Sequence, residues 1–153
     1  MFDPVFSKVL VAYDGSDPSK RALDHAAKMA AMFEGELVIL TIVPKVSVPV
    51  YSNAELGAQA MDIASLQERM RENYTQSIKK AEEEILGLYP HLKVDTILAE
   101  GRPASVIVSE ADKLGVSLIV MGSRGLGGIT GWILGSTSRQ VVELCTKAIL
   151  IVK

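Results

Sequence analysis

One stretch of the chain, residues 117–138, combines residue types that bind phosphate in proteins. An apolar run ending at Met121 predicts a strand. Half of the chain's twelve glycines follow it, at Gly122, Gly125, Gly127, Gly128, Gly131 and Gly135. Three hydroxyl residues come next and are predicted to supply N-cap oxygens to a helix that begins at about Arg139: Ser136, Thr137 and Ser138. Glycine lets backbone N–H groups approach an anion, and a helix N-terminus favours negative charge. A merely flexible loop would not explain the three hydroxyl groups, so the stretch is a candidate nucleotide-phosphate site.

Two widespread phosphate-binding motifs do not fit this stretch. A Walker A loop requires G-x-x-x-x-G-K-[ST], and the sequence contains no Gly-Lys pair. The dinucleotide fingerprint G-x-G-x-x-G fails because Thr130 stands where its third glycine belongs. It would also lie after the fourth predicted strand instead of the first. The candidate site must therefore hold phosphate through backbone and hydroxyl groups, without a motif lysine.

Composition limits the class of protein and its partners. The 153 residues predict one domain over 1–153, and 48% hydrophobic with 22% charged residues is typical of a globular protein. A net charge of −2 argues against a general nucleic-acid binder. No apolar run reaches the roughly 18 residues of a membrane span. The single cysteine, Cys145, cannot form an internal disulfide, and this favours a cytoplasmic protein. The side chain of Cys145 is predicted to be buried.

The rest of the sequence alternates between strand and helix patterns. Strands are predicted at 8–13, 37–43, 92–99, 117–121 and 148–153, and the polar alternation in 92–99 favours an edge strand. Helices are predicted from Pro18 to a stop at Gly35, over 63–88, and over 136–145 with its hydroxyl residues. After a turn at 101–103, a further helix is predicted that contains Val106, Ile107, Ala111 and Leu114 and runs to Gly115. The second helix is predicted from an apolar stripe with steps of three or four residues: Ile63, Leu66, Met70, Tyr74, Ile78, Ala81, Ile85 and Leu88. The charged residues between them indicate a solvated face.

Residues 44–62 show no sustained periodicity and contain two prolines and a glycine. They predict a long loop, with at most a helical turn near 55–61. Long loops in compact domains are often either functional or disordered, so this one is either a lid over a ligand or a mobile connection.

The order of the predicted elements defines a fold class. Strict alternation predicts an α/β protein with a doubly wound, five-stranded parallel sheet, Rossmann-like, with helices on both faces. For the common strand order 3-2-1-4-5, ligands bind beyond the carboxyl ends of the strands, where the order reverses between the first and fourth strands. Asp14 and Gly122 would then face each other across one crevice.

The spacing Gly122-x-x-Gly125, nine residues, then Gly135-Ser136 resembles the signature of the universal stress protein family in its ATP-binding branch. The likeness covers almost the whole chain. It includes the opening K-V-L-V-A-Y-D-G-S, the turn G-R-P, the segment L-I-V-M-G-S-R-G, the helix start G-S-T-S and the terminal A-I-L-I-V-K.

This resemblance implies a site for an adenine nucleotide, ATP or AMP. It places Asp14 near ribose and adenine and the backbone of Val43 against adenine. Ribose and phosphate contacts fall to Gly122, Arg124 and Gly125, and phosphate contacts through N–H and hydroxyl groups to Gly135, Ser136, Thr137 and Ser138. Ala12, Tyr13 and Met121, at the ends of the adjoining strands, complete the candidate site. Simpler roles stay open for two residues, since Asp14 could merely cap the first helix and Arg124 could be a solvated charge.

Two functions from different classes follow. The first is a nucleotide-dependent regulator of the stress response that acts through an unknown protein client. It would form a homodimer through the last strand, at Ile149, Leu150, Ile151 and Val152. The second is a slow ATP hydrolase or phosphoryl transferase, with Mg²⁺ or Mn²⁺ on the phosphates and Asp14 as the one plausible nearby carboxylate. No general base is evident near the glycine loop, and His25 and His91 lack metal-ligand spacing, so the regulator is favoured. A flavin- or electron-carrier-like relative is a weaker alternative.

Overall fold

The computed structural model describes residues 5–46, 56–124 and 133–153. Its strands are β1 (Lys8–Ala12), β2 (Glu36–Val43), β3 (Lys93–Glu100), β4 (Leu118–Gly122) and β5 (Ala148–Val152). Its helices are α1 (Asp17–Met32), α2 (Leu56–Leu88), α3 (Pro103–Leu114) and α4 (Ser136–Leu144). Strand and helix alternate along the chain, as the sequence predicts.

All five strands lie in one parallel sheet with the order β3-β2-β1-β4-β5. The predicted fold class and strand order are therefore confirmed. In the register, Val11 of β1 is paired with Val120 of β4, and Ala12 is paired with Leu40 of β2. The carboxyl ends of these three strands consequently meet at one edge of the sheet.

Two apolar layers cover the sheet, one on each face. Helices α1 and α2 pack on one face, where Ala26, Ala27 and Ile78 contact the alternate side chains of the strands. Helices α3 and α4 pack on the other face through residues such as Ile107 and Val141. The central strands β1 and β4 are buried on both sides, and this explains their uninterrupted apolar sequences. Strand β3 lies at an edge, as its polar alternation predicts.

Helix α2 is longer than its sequence pattern suggests. It begins at Leu56, so the helical turn predicted near 55–61 is the first part of α2, and the prediction that the loop extends to residue 62 is wrong. The sequence from Leu56 to Met61 contains Ala, Gln, Leu and Met, which favour helix even without an apolar period. Residues 47–55 lie outside the described part, so a lid there stays a prediction. Only part of the predicted stripe is core: Ile78, Ala81 and Ile85 are buried, whereas Leu66 and Leu88 are exposed.

Cys145 is half-buried and not fully buried, which corrects the prediction. It is the C-cap residue of α4, where the helix leaves the sheet, and its Sγ accepts a hydrogen bond from the N–H of Lys147 at 3.3 Å. Among the described helices, none combines the length and the apolar character needed to cross a membrane.

Candidate functional site

A cleft of about 640 Å³ lies at the carboxyl edge of the sheet. Its volume falls within the roughly 300–1,000 Å³ typical of small-molecule sites. Ten residues of the predicted site line it: Ala12, Tyr13, Asp14, Met121, Gly122, Arg124, Gly135, Ser136, Thr137 and Ser138. Val43 is fully buried and does not line the cleft, although its neighbours Ile42 and Pro44 do. Gly125, with Gly127, Gly128, Gly131 and Trp132, lies outside the described residues.

A second cavity, of about 560 Å³, lies at the amino ends of β2 and β3, around Gly35 and His91. None of the predicted site residues lines it. Parallel sheets of this type bind ligands at the carboxyl ends of the strands, at the reversal of strand order. The larger cleft satisfies this rule, since residues following β1 and β4 form its centre.

Helix α4 presents an uncapped N-terminus to the cleft. Gly135 is its N-cap residue, with φ −59° and ψ 158°, and no side chain caps the helix. The prediction that Ser136, Thr137 and Ser138 are cap residues is therefore wrong, because they form the first helical turn instead. The first intrahelical bond joins the N–H of Arg139 to the carbonyl of Gly135 at 3.0 Å. Among the described residues, nothing accepts a hydrogen bond from the N–H groups of residues 136–138, which are thus free to bind an anion.

The three hydroxyl groups of this turn differ in their environment. Ser138 is 2% exposed, and its hydroxyl donates to backbone carbonyls within the fold, at 3.1 Å to Gly135 and 3.3 Å to Ser123. The hydroxyl proton of Ser138 is therefore used in hydrogen bonds that hold the start of α4 against the residues that follow β4. Ser136 is exposed and Thr137 half-exposed. Of the three, only these two retain hydroxyl protons for a ligand.

Asp14 holds the turn between β1 and α1. Its Oδ1 accepts the N–H of Ser16 at 2.9 Å, and its own N–H donates to the hydroxyl of Ser19 at 3.3 Å. Gly15 adopts φ +83°, a conformation that favours glycine, and thereby allows the tight turn. The cap of α1 is Ser16, whose Oγ accepts the N–H of Ser19 at 3.3 Å. Capping of α1 by Asp14 is thus excluded, and its Oδ2 accepts no hydrogen bond from the described residues.

The two described glycines of the signature occupy crowded positions. A Cβ at Gly122 would lie 2.9 Å from two atoms of Pro18 at the start of α1. A Cβ at Gly135 would lie 3.1 Å from the carbonyl oxygen of Ser123. The N–H of Gly135 donates to that same oxygen at 2.8 Å. Glycine at these positions lets the end of β4 pack closely against the start of α1 and the start of α4.

Several residues that line the cleft were not predicted from the sequence. Leu40, Ile42, Pro44, Pro103, Ile107 and Ile133 add apolar surface, and Ser19, Tyr74, Leu134 and Arg139 complete the lining. The apolar members belong to strand ends and a helix start, where their sequence pattern indicates only core packing. Arg139 could have been predicted from the sequence, since it directly follows the hydroxyl residues of the candidate site. Tyr74 could not, because it belongs to the apolar stripe of α2.

Charge in the cleft is mixed. The described lining carries one carboxylate, Asp14, and two guanidinium groups, Arg124 and Arg139. Burial raises the pKa of the Tyr74 phenol above its ordinary value, and the nearby charge of Asp14 raises it further. Within the described ranges, no three His, Cys, Asp or Glu side chains form a group that could hold a metal ion.

The fold and the cleft together define a small doubly wound α/β protein with a cleft at its topological switch point. The model of the universal stress protein family matches residues 6–153. The chain belongs to the universal stress protein family, as its sequence motifs predict.

Known proteins similar to this chain agree with that assignment. The universal stress protein YxiE of Bacillus subtilis is 36% identical over 150 residues, covering 97% of this chain and 100% of YxiE. The structure of UspA from Lactobacillus plantarum superimposes with a TM-score of 0.82 at 19% identity, covering 97% and 98% of the two chains, and shows the shared fold. A universal stress protein solved in complex with cAMP is 26% identical, with a TM-score of 0.58 and 97% of each chain covered.

Proposed function

We propose that this cleft binds an adenine nucleotide, ATP or AMP, and that the protein is a cytoplasmic, nucleotide-dependent regulator of the stress response. The observation that carries the proposal is the uncapped N-terminus of α4 at the cleft, with three N–H groups that have no acceptor among the described residues. The complex of a relative with cAMP supports an adenine nucleotide as the ligand class.

The phosphates would lie at the start of α4. Backbone N–H groups of residues 136–138 and the helix dipole favour negative charge there. The hydroxyl groups of Ser136 and Thr137 and the guanidinium of Arg124 add donors on the same wall of the cleft. Mg²⁺ or Mn²⁺ would be held mainly by the phosphates, since the described lining offers Asp14 alone as a carboxylate.

The base and ribose would lie toward β1 and β2. Leu40, Ile42 and Ile107 supply apolar surface for an adenine ring. Val43 is fully buried, backbone included, and does not line the cleft, so the predicted contact of its backbone with adenine has no support in this structure. Asp14 presents Oδ2 as an acceptor for a ribose hydroxyl or an amino group.

A proline substitution tests the role of the α4 backbone directly. Ser136→Pro removes one N–H, while proline suits the first position of a helix. Gly135 already has the extended ψ that a residue before proline prefers, and α3 of this chain begins with proline in the same way. Ser136→Ala removes only the hydroxyl and is the matched control. Binding of AMP and ATP is measured by titration calorimetry.

We expect wild-type protein to bind both nucleotides and Ser136→Pro to bind them about tenfold more weakly than Ser136→Ala, since a hydrogen bond to a charged group contributes about 1.5–3 kcal/mol. No binding to wild type would overturn the proposal. Equal affinity of the two variants would mean that the backbone N–H groups of α4 do not contribute to nucleotide binding as proposed. In the same samples, turnover of ATP that depends on Mg²⁺ or Mn²⁺ would favour the hydrolase alternative over the regulator.

The proposal includes a homodimer formed through β5. Among the strands that the structure describes, β5 pairs with β4 alone, so its other edge is open there, and Ile149, Leu150 and Ile151 are half-buried. An apolar strand at an open edge favours pairing with a second copy. Light scattering after gel filtration should give twice the mass of the 16.5-kDa chain. The mass of a single chain would contradict the dimer.

A further inference from the structure

Tyr74 is the one residue of α2 in the described lining of the cleft. The core contacts of α2 begin at Ile78, one turn further along the helix. The helix therefore extends past the sheet at its carboxyl edge and places an aromatic side chain beside β1. The cleft thus has a wall from α2 on one face of the sheet and a wall from α3 and α4 on the other.

Polar contacts hold this part of α2 in place. The Gln67 side chain bridges the chain leaving β2: its amide donates to the carbonyl of Pro44 at 3.1 Å, and its oxygen accepts the N–H of Val46 at 2.9 Å. Arg71 forms an ion pair with Glu100, at the end of β3, at 2.6 Å. Residues 67, 71 and 74 are spaced by four and three positions and so share one helix face. The face that carries Tyr74 is thereby fixed to the ends of two strands.

Tyr74 and Asp14 both have polar atoms that are free for a ligand. The Tyr74 hydroxyl forms no hydrogen bond with the described residues, and neither does Oδ2 of Asp14. The phenol oxygen is accessible to solvent, since no buried side-chain polar atom in the described ranges lacks a partner. The cleft therefore presents a donor and an acceptor that do not bond each other. One hydroxyl group placed between them would satisfy both, by accepting from the phenol and donating to the carboxylate.

We propose that Tyr74 is a ligand-binding residue that acts with Asp14 to recognise a ribose hydroxyl, so that the cleft prefers ribonucleotides to deoxyribonucleotides. This inference rests on the proposed function, because it requires a nucleotide in the cleft. Its basis is the phenol and carboxylate oxygens in the cleft lining that have no partner among the described residues, with α2 anchored by Gln67 and Arg71. The carboxylate of Asp14 would accept a hydrogen bond from the ribose hydroxyl, and the phenol of Tyr74 would donate one to it. A deoxynucleotide that lacks this hydroxyl should bind more weakly, because both protein groups are then left without a partner.

The test compares AMP with 2′-deoxy-AMP and 3′-deoxy-AMP. Dissociation constants are measured by calorimetry for wild type and for Tyr74→Phe, which keeps the ring and removes the hydroxyl. Tyr89→Phe is the matched control, because Tyr89 lies at the far end of α2 in the other cavity. Thermal unfolding of each variant shows that the fold is retained.

For wild type and Tyr89→Phe we expect about tenfold weaker binding of one deoxynucleotide than of AMP. In Tyr74→Phe that preference should shrink to about twofold, through weaker binding of AMP alone. If wild type binds AMP but Tyr74→Phe keeps the full preference, the inference fails and the proposed function stands. If wild type binds AMP and both deoxynucleotides with equal affinity, the inference also fails and the proposed function again stands. If wild type binds no AMP, both fail.

Discussion

Helices α1 and α4 begin at the same edge of the sheet, after the adjacent central strands β1 and β4, yet their N-termini differ in chemistry. The dipeptide Gly-Ser occurs at the start of both helices. At α1 the serine, Ser16, is the N-cap residue and its side chain bonds to the first turn. At α4 the glycine, Gly135, is the N-cap residue and the serine lies inside the helix. A shift of the N-cap position by one residue thus distinguishes α1, whose first turn is capped by its own serine, from α4, whose first N–H groups remain available to a ligand.

This difference assigns different roles to two similar sequences. Helix α1 is closed further by Asp14, which holds Ser16, and by the contact of Pro18 with Gly122. Helix α3 also has no side-chain cap, but it begins with a proline, so it offers one N–H fewer than α4. Of the described helices that start beside the cleft, α4 offers the most backbone N–H groups without an acceptor among the described residues. The proposed phosphate site therefore depends on cap geometry, and not on glycine content.

The largest effect is expected where the closed start of α1 meets β4. Gly122→Ala would place a Cβ 2.9 Å from the carbonyl carbon and Cβ of Pro18, atoms that cannot rotate away. Overpacking of this kind costs about 1–3 kcal/mol, so we expect the free energy of unfolding in urea to fall by that amount. Gly87→Ala is the control, because a Cβ at Gly87, in helix α2, has no neighbour within 4 Å.

The control should gain about 0.5–1 kcal/mol, since alanine favours helix over glycine. Unchanged stability in Gly122→Ala would show that α1 can move away from β4, and the description of α1 as a closed helix start would then be wrong.

A substitution at Gly135 converts the start of α4 into the type found at α1. The φ and ψ of Gly135 are accessible to other residues, so Gly135→Ser should place a cap oxygen where the phosphate would bind. Gly135→Ala carries the same Cβ, 3.1 Å from the oxygen of Ser123, without the cap oxygen. Relative to Gly135→Ala, we expect Gly135→Ser to be about 1 kcal/mol more stable and to bind AMP roughly fivefold more weakly.

These two measurements should change in opposite directions, because one cap oxygen produces both. A variant that gained stability without losing affinity would place the phosphate elsewhere. Calorimetry and urea unfolding on the same preparations provide the two values.

The sequence predicts the sheet and the location of the cleft well, for a physical reason. Strands buried on both faces have continuous apolar sequences, and right-handed crossovers leave few possible topologies. The carboxyl ends of neighbouring parallel strands must then meet, which brings Asp14 and Gly122 into one cleft although they are distant in sequence. The family signature added the residues of the α4 start to the same cleft.

The finer features depend on atomic geometry that a residue pattern does not contain. Whether Gly135 or Ser136 is the N-cap residue of α4 depends on one ψ angle, and both assignments satisfy the capping preferences. Tyr74 lies at a stripe position and so resembles a core residue, because the pattern does not reveal that α2 extends beyond the sheet. The start of α2 was missed because helix propensity without an apolar period gives a weak pattern.

The smallest effect is expected at the opposite edge of the sheet, where neither helix N-terminus is involved. Glu36 forms ion pairs with Lys93 at 2.6 Å and Lys8 at 3.5 Å. The hydrogen bond from Lys93 lowers the pKa of Glu36 below its ordinary 4.5, and the same bond raises the pKa of Lys93 above its ordinary 10.5. Glu36 therefore adds stability above pH 4.5 that is lost as the pH falls through its lowered pKa. Lys93 adds stability below pH 10.5 that is lost as the pH rises through its raised pKa.

Glu36→Gln should remove the acid-side part of this dependence, and the melting temperature of the variant should approach that of wild type as the pH falls below 4.5. The difference at neutral pH should be small and should fade in about 1 M salt, because these exposed charges are screened. Affinity for AMP should be unchanged, since Glu36 lies at the amino end of β2, away from the cleft. A loss of affinity in Glu36→Gln would mean that the two edges of the sheet are coupled, and the contrast between α1 and α4 would then not be a property of the carboxyl edge alone.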